Sequence, residues 1–175
     1  MAEGSLIATR DRDADFRDRL LIWSREARAL ATWMLRDADA GDDAVQEAAL
    51  LGWEKRRSLR KPERIDAWLN QILVNVCRDE LRHRAARQRA NLRPAATIPG
   101  HDEAAAQRDE VAAAMACLDP EEQIVVAIRF GRDLSIPQIA SLTGLREGTV
   151  KSRLHYALEH LRAALAVQQK AVVDR

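Results

Sequence analysis

The sequence has few of the residues that indicate a disulfide framework, a metal centre or a catalytic site. Its two cysteines, Cys77 and Cys117, lie far apart without CxxC spacing. We expect each to be a small buried apolar residue rather than half of a disulfide or a metal ligand. The four histidines are scattered, and no metal-ligand cluster, phosphate-binding loop or nucleophile–base pair stands out. The sequence therefore predicts no metal, no other cofactor, no small-molecule substrate and no enzymatic activity.

Long hydrophobic runs are equally scarce. The first residues, MAEGSLIATRDRDADF, contain no apolar segment of signal-peptide type, and no run approaches the length of a membrane span. The chain has only seven glycines and five prolines, and no sustained alternation of apolar and polar residues predicts strands. We therefore expect a cytoplasmic, all-α protein without membrane contact.

The charges are separated along the chain, although the formal net charge is only +1. Residues 37–47 carry five acids and no base, and residues 102–122 carry seven acids and one arginine. Residues 55–93 carry twelve basic residues and four acids. Separated blocks indicate distinct partners, and the basic block is a candidate for contact with a phosphate backbone.

Apolar residues recur at helical spacing in three segments of the N-terminal half. The apolar residues of the first helix, predicted over 16–35, are Leu20, Trp23, Ala27, Leu30, Trp33 and Met34. Gly41 is expected to interrupt the pattern, and the acids around it to begin the second helix. The residues expected to face inward from the second helix are Val45, Ala48, Ala49 and either Gly52 or Trp53. Those of the third, which begins near Arg64, are Ile65, Leu69, Ile72, Leu73, Val76 and Leu81.

A segment with two prolines and little to bury, ANLRPAATIPGHDEAAAQ, divides the chain into two small helical domains joined by a flexible linker. The predicted organisation is a flexible N-terminus 1–15, a helical domain 16–88, a linker 89–108, a helical domain 109–168 and a tail 169–175.

The second domain contains a helical hairpin, SIPQIASLTGLREGTVKSRLHYALEHLRAAL. Ser135, Pro137 and Gln138 are typical of a capped helix start, and Gly144 suits the positive φ that ends a helix. The apolar residues Val150, Leu154, Leu158 and Leu161 form one stripe on the helix that follows. The opposite face carries Thr149, Lys151, Ser152, Arg153, His155 and Tyr156.

This arrangement is typical of a helix-turn-helix, in which the N-terminal part of the second helix enters the major groove of DNA. The other interpretation is an amphipathic helix whose solvated outer face happens to be basic.

Two sets of motifs together resemble the extracytoplasmic-function sigma factors of bacterial RNA polymerase. The C-terminal set is LDPEEQIVVAIRFGRDLSIPQIASLTGLREGTVKSRLHYALEHLR, and the N-terminal set is DDAVQEAALLGWE followed by KPERIDAWLNQILVNVCRDELRHR. The resemblance covers roughly residues 16–165. It implies a dissociable initiation subunit that binds core RNA polymerase and promoter DNA and is held in check by an anti-sigma factor.

The resemblance also implies roles for individual residues. Those expected to bind core polymerase are Asp42, Asp43, Gln46 and Glu47. Those expected to contact the minus-ten element are Arg57, Arg60, Lys61, Asn75, Arg78, Asp79 and Arg82. Those expected to contact the minus-thirty-five element are Arg146, Glu147, Thr149, Lys151, Ser152, Arg153 and His155.

Three positions depart from the family pattern. Asn70 and Gln71 stand where many relatives have an aromatic and a basic residue, and Arg146 stands where the family usually has a helix-capping serine. Trp68 is expected to belong to the core. Two other hypotheses remain open: a helix-turn-helix regulator that acts without core polymerase, and a sigma-like mimic that binds a regulatory protein.

Overall fold

The computed structural model describes residues 3–91, 111 and 113–173, and within these ranges it contains helices and no strand. The principal helices are α1 Glu3–Leu35, α2 Ala38–Lys55, α3 Ile65–Asn91, α4 Pro120–Gly131, α5 Ile136–Thr143 and α6 Glu147–Val173, and residues 113–116 are also helical. Single 3₁₀ turns occupy Arg56–Ser58 and Pro62–Arg64. The expected all-α fold is confirmed.

The chain divides into two compact units, Met1–Cys77 and Arg78–Arg175. The boundary between them falls inside α3. Most of the predicted linker 89–108, from residue 92 onward, lies outside the described residues, as does the end of the predicted tail.

Helix α1 begins at Glu3, well before the start at Phe16 that apolar spacing predicts. The turn that precedes Phe16 carries few large apolar residues, so periodicity gives no signal there. Its anchor is polar, because the carboxylate of Asp13 accepts hydrogen bonds from Arg56.

The break between α1 and α2 was predicted at Gly41, and this prediction is wrong. The chain turns at Arg36, which has a φ of 54°, and Asp37 caps α2 by accepting a hydrogen bond from the Ala40 N–H at 3.0 Å. Gly41 lies inside the first turns of α2, where a Cβ atom would approach Thr32 Oγ1 to 2.8 Å. Glycine is therefore needed for the close approach of α1 and α2, not for a turn.

The core of the first unit follows the predicted stripes, with one correction. The fully or nearly buried residues include Trp23, Ala27, Leu30, Met34, Val45, Ala48, Leu69 and Leu73. Trp33, which was assigned to the apolar face, is 53% exposed. Residues 23, 27, 30 and 34 share one face at spacings of three and four, and Trp33 lies about 100° away from Met34 around the helix. Trp68 is half-buried rather than fully in the core.

The second unit is organised by helix caps. Asp119 accepts hydrogen bonds from the N–H groups of Glu121 and Glu122, and Glu122 accepts one from the Asp119 N–H. This reciprocal cap fixes the start of α4, whose apolar residues Ile124, Val125 and Ile128 are buried.

The predicted hairpin is confirmed in its local structure. The Ser135 N–H donates to Gln138 Oε1 at 2.8 Å, and Gly144 has a φ of 71° at the end of α5. In α6, Val150 and Leu154 are buried, as is Ala157, while Leu158 and Leu161 are partly exposed.

The two cysteines differ in environment. Cys77 is fully buried in α3, as expected. Cys117 is exposed, so its assignment to the core was wrong. It lies in the turn just before the Asp119 cap, where the chain changes direction and its Sγ atom reaches only the Ala113 carbonyl, at 3.5 Å.

Candidate functional site

The acidic face of α2 is exposed. Asp43, Gln46 and Glu47 all lie on the surface, and Asp42 is partly exposed and paired with Arg28 Nε at 3.0 Å. Leu50 lies on the same face as Asp43 and Glu47, at the i, i+4, i+7 spacing, and is 66% exposed. This face therefore combines acids with one large apolar side chain.

The sequence patterns do not predict Leu50 as part of this surface. It falls in the apolar pair Leu50–Leu51, and either member could have faced the core. Only the packing of α2 shows that Leu50 is the outward one.

The segment between α2 and α3 presents three basic residues to solvent. Arg57, Arg60 and Lys61 are exposed, and each belongs to the set predicted to contact the minus-ten element. The backbone of the segment is held by single-turn hydrogen bonds, from the Leu59 N–H to the Arg56 carbonyl at 3.2 Å and from the Arg64 N–H to the Lys61 carbonyl at 2.9 Å.

The start of this segment is fastened to α1 through Arg56. The Arg56 guanidinium donates to both carboxylate oxygens of Asp13, at 2.8 and 3.1 Å, and to the Trp53 carbonyl at 2.9 Å. It also stacks over the Trp53 ring at 4.2 Å. The hydrogen bond from Arg56 holds the pKa of the Asp13 carboxyl below its usual value. No sequence motif signals this pair, whose members are 43 residues apart.

The first turn of α3, which follows the segment, is fastened to α1 as well. Arg19 makes a bidentate ion pair with Asp66, with Nε at 2.9 Å from Oδ1, and this hydrogen bond raises the pKa of Arg19. Between the two ion pairs, the buried ring of Phe16 lies 6.1 Å from Trp53 and 6.4 Å from Trp68. A cleft of about 1020 Å³ runs between α1 and the segment, lined by residues that include Asp13, Phe16, Arg19, Arg57, Leu59 and Pro62.

Asn70 has a structural partner in the first unit. Its Oδ1 accepts a hydrogen bond at 2.9 Å from the indole N–H of Trp23, a residue that is 2% exposed. An amide at position 70 therefore satisfies the one polar group of a buried tryptophan. The neighbouring Gln71 is exposed.

The predicted residues of α3 differ in exposure. Asn75 and Asp79 are exposed, as is Arg82, which pairs with Asp79 at 3.5 Å. Arg78 is mostly covered, with 14% of its side chain exposed.

In the second unit, three of the predicted DNA-contacting arginines meet one carboxylate. Glu121 Oε1 lies 2.8 Å from Arg78 Nε and 2.9 Å from Arg82 Nη2, and Oε2 lies 2.7 Å from Arg153 Nη1. The Glu121 side chain is 19% exposed, so the cluster is partly shielded from water. No sequence pattern distinguishes Glu121, because it stands in the first turn of a helix, where acids are common.

The N-terminal turns of α6 present most of the third predicted set. Arg146, Glu147, Lys151, Ser152 and His155 are exposed, and Thr149 is partly buried. The Ser152 hydroxyl donates to the Thr149 carbonyl at 3.1 Å, and His155 stacks at 5.6 Å on Tyr156, which is 55% exposed. The exposed face is basic and carries one aromatic ring at its rim.

Two features are absent from the part of the chain that the structure describes. None of its helices is long and apolar enough to cross a membrane. In the same residues, no three or more histidine, cysteine or acidic side chains are grouped so as to hold a metal ion.

Comparison with known proteins identifies two family models and several relatives. The model "Sigma-70 region 2" matches residues 22–87, and "Sigma-70, region 4" matches residues 114–163. The chain is 35% identical over 157 residues to the ECF RNA polymerase sigma factor SigL of Mycobacterium tuberculosis, covering 82% of this chain and 86% of SigL. It is 30% identical over 141 residues to SigM of the same organism, covering 81% and 72%.

A solved structure is also similar. The sigma factor RpoE of Bartonella quintana, crystallised in complex with the anti-sigma factor NepR, matches with a TM-score of 0.58 and 25% identity. The match covers 87% of this chain and 98% of RpoE.

Proposed function

The chain belongs to the extracytoplasmic-function sigma factors of the sigma-70 family, and from this premise we propose which of its surfaces perform each step of initiation. The protein binds core RNA polymerase and directs it to promoters. The observation that carries this function is the presence of region 2 and region 4, in that order, on one chain. A regulator that acts without polymerase has no need of region 2.

The polymerase-binding surface of the proposal is the outer face of α2. Asp43, Gln46 and Glu47 supply exposed acids and an amide, and Asp42 extends the charge toward Arg28. Charge of one sign guides encounter with a basic partner, whereas affinity comes mainly from desolvated apolar contact. Leu50, 66% exposed, supplies that contact in the proposed interface.

The minus-ten element is proposed to bind along the segment between α2 and α3 and the outward side of α3. Arg57, Arg60 and Lys61 lie on this short connection and are exposed, and contact with phosphates requires exposed positive charge. Further along, Asn75, Asp79 and Arg82 supply exposed amide, carboxylate and guanidinium groups that suit base edges or backbone. Arg78, whose side chain is 14% exposed, is the covered member of the proposed set.

The minus-thirty-five element is proposed to bind the N-terminal turns of α6. Lys151, Ser152 and His155 are exposed there, while Val150 and Leu154 fix the helix by packing inward. Arg146 and Glu147 at the start of the helix, with Thr149 and Arg153 behind them, complete the set.

The proposed function includes no catalysis by this chain and places the protein in the cytoplasm, where promoter DNA and polymerase are found. Regulation by an anti-sigma factor is part of the proposal, supported by the similarity to RpoE, which was crystallised with NepR. Such a partner would cover the same exposed faces of α2 and α6.

The deciding experiment is run-off transcription with purified core polymerase on a randomised promoter library, with and without the protein. Transcripts that depend on the protein and share two spaced sequence elements support the assignment. Binding of the isolated protein to duplex DNA without any transcripts favours a plain helix-turn-helix regulator. Neither activity favours a sigma-like mimic.

A further inference from the structure

We infer that Asp13, Phe16 and Arg19 in α1 form a clamp that positions residues 56–66, which are the segment between α2 and α3 together with the first two residues of α3, and thereby sharpens base discrimination at the minus-ten element. The three residues are called the α1 clamp below. The inference rests on the proposed function of the segment, because it concerns how that segment is held for promoter recognition.

The spacing of the clamp residues places them on one face of α1. They recur at intervals of three, so successive side chains lie about 60° apart around the helix axis and all three face the segment. Asp13 meets the first residue of the segment, Arg56, and Arg19 meets Asp66 in the first turn of α3. The two ends of the segment are thus tied to one rigid helix.

The middle of the clamp is apolar. Phe16 is 8% exposed and packs against Trp53, which precedes the segment, and against Trp68, which follows it. Tilted packing on Trp53 and edge packing on Trp68 bring one ring into contact with both α2 and α3, at the place where the segment leaves and rejoins them.

The two ion pairs share a bidentate geometry but differ in exposure, because the Arg19 and Asp66 side chains are 45% and 41% exposed. Each is bidentate, and the Arg56 guanidinium is also stacked on an indole ring and is only 19% exposed. Planar, bidentate arginine–carboxylate pairs are the directional kind, and partial burial reduces their screening by salt. Arg56 is therefore an anchor, whereas the exposed neighbours Arg57, Arg60 and Lys61 remain turned toward solvent.

The segment depends on such anchors because its own backbone does little to order it. Residues 56–66 contain two single 3₁₀ turns and one well-buried side chain, Ile65 at 9% exposure. If a segment becomes ordered only when it binds DNA, the entropy cost of ordering lowers its affinity. A segment that is already held in place does not have this cost. Phosphate contacts from basic groups that are held in place fix the register of the DNA strand, and that register decides which bases meet the side chains of α3.

The clamp lies outside the part of the chain that matches the region 2 family model. That match begins at residue 22, and the clamp residues precede it. The proposed role of residues 13–19 therefore concerns a part of α1 that the family match does not cover.

The test is a charge exchange at the Arg19–Asp66 pair, because neither residue belongs to the predicted DNA-contacting set. Arg19→Asp and Asp66→Arg each place like charges together, and the double variant restores an opposite pair. Arg17→Asp makes the same charge change at an exposed position of α1 outside the clamp and serves as the control.

Each variant is assembled with core polymerase and transcribes a template pool in which the minus-ten element is randomised. We expect Arg19→Asp to reduce the preference for the best element over its single-base variants by about threefold to tenfold. The double variant should recover the preference to within about twofold, and Arg17→Asp should leave it unchanged. A purely structural defect would lower transcript yield equally for all templates and leave the preference as it was.

Hydrogen exchange of the protein alone supplies a second readout that needs no promoter. The amides of residues 57–64 should exchange faster in Arg19→Asp and regain protection in the double variant, while those of α4–α6 stay unchanged. If the wild-type holoenzyme enriches no minus-ten element, the proposed function of the segment fails and this inference fails with it. If the wild type enriches an element and Arg19→Asp shows the same preference and the same exchange, the clamp alone is wrong.

Discussion

Replacing Glu121 by glutamine should strengthen the binding of duplex DNA while weakening the fold. The Glu121 carboxylate lies within 2.7–2.9 Å of guanidinium nitrogens of Arg78, Arg82 and Arg153. DNA phosphates must compete with this carboxylate for Arg153, which lies on the face of α6 proposed to read the minus-thirty-five element. The isosteric amide removes the competing charge and keeps the shape.

The magnitude follows from the exposure of the cluster. A pair at a protein surface contributes about 0–1 kcal/mol, and three pairs that share one carboxylate are not additive. With 19% of the Glu121 side chain exposed, we expect Glu121→Gln to lower the free energy of unfolding by about 1–2 kcal/mol. Release of one arginine to a phosphate should steepen the dependence of log K on log salt by about 0.9.

The assay is fluorescence anisotropy with a random-sequence duplex between about 50 and 200 mM salt, paired with urea unfolding. Glu159→Gln is the matched control, since it removes one acid from the outer face of α6 where His155 is its partner at 3.6 Å. On a background in which Arg78, Arg82 and Arg153 are all replaced by alanine, Glu121→Gln should leave the salt slope unchanged. An unchanged slope in the single variant Glu121→Gln would refute the competition between carboxylate and phosphate.

Three further predictions concern the first unit. Asp43→Arg should abolish binding to core polymerase in a pull-down, and the melting temperature should not change because Asp43 is exposed. Asp39→Arg, in the first turn of α2, is the control. Normal binding of Asp43→Arg would show that α2 is not part of the interface. Gly41→Ala should lower the free energy of unfolding, measured in urea, by about 1–3 kcal/mol, because a Cβ atom would lie 2.8 Å from Thr32 Oγ1. An unchanged urea midpoint would show that α1 and α2 move apart without cost. The pKa of Asp13 is lower in the folded protein than in the unfolded chain, so its contribution to stability is present above about pH 3.9 and is lost as the pH falls through the lowered pKa. The stability difference between wild type and Asp13→Asn should therefore be constant from about pH 5 to 8 and shrink only in stronger acid; a difference that shrinks already near neutral pH would contradict the Arg56 pairing.

Local patterns predicted most of the helices because their causes are local. The capped start at Ser135, the positive φ of Gly144 and the apolar stripe beginning at Val150 all depend on neighbours within a few residues. The same reasoning failed at Gly41, where a glycine was interpreted as a helix breaker. Its actual role is contact with Thr32 on another helix, which composition alone does not reveal.

The sequence also did not predict which large side chains at the edge of an apolar helix face are buried. Trp33 and Leu50 are large apolar residues next to buried ones, yet both are exposed, because a helix buries only the face that its neighbours cover. The exposed Cys117 was misjudged because its type is usually buried, whereas its position in a turn governs its exposure.

The sequence by itself determined the helical class, the order of the two regions and the family, because these depend on residue type and spacing along the chain. The candidate residues for polymerase and DNA contact also came from the sequence, by position in the family motifs. Only the tertiary structure decided which charges meet, since Asp13 with Arg56, Arg19 with Asp66 and Glu121 with Arg153 are each separated by at least 32 residues. Ion pairs between distant residues leave no period or motif in a sequence, because their geometry depends on how whole helices pack.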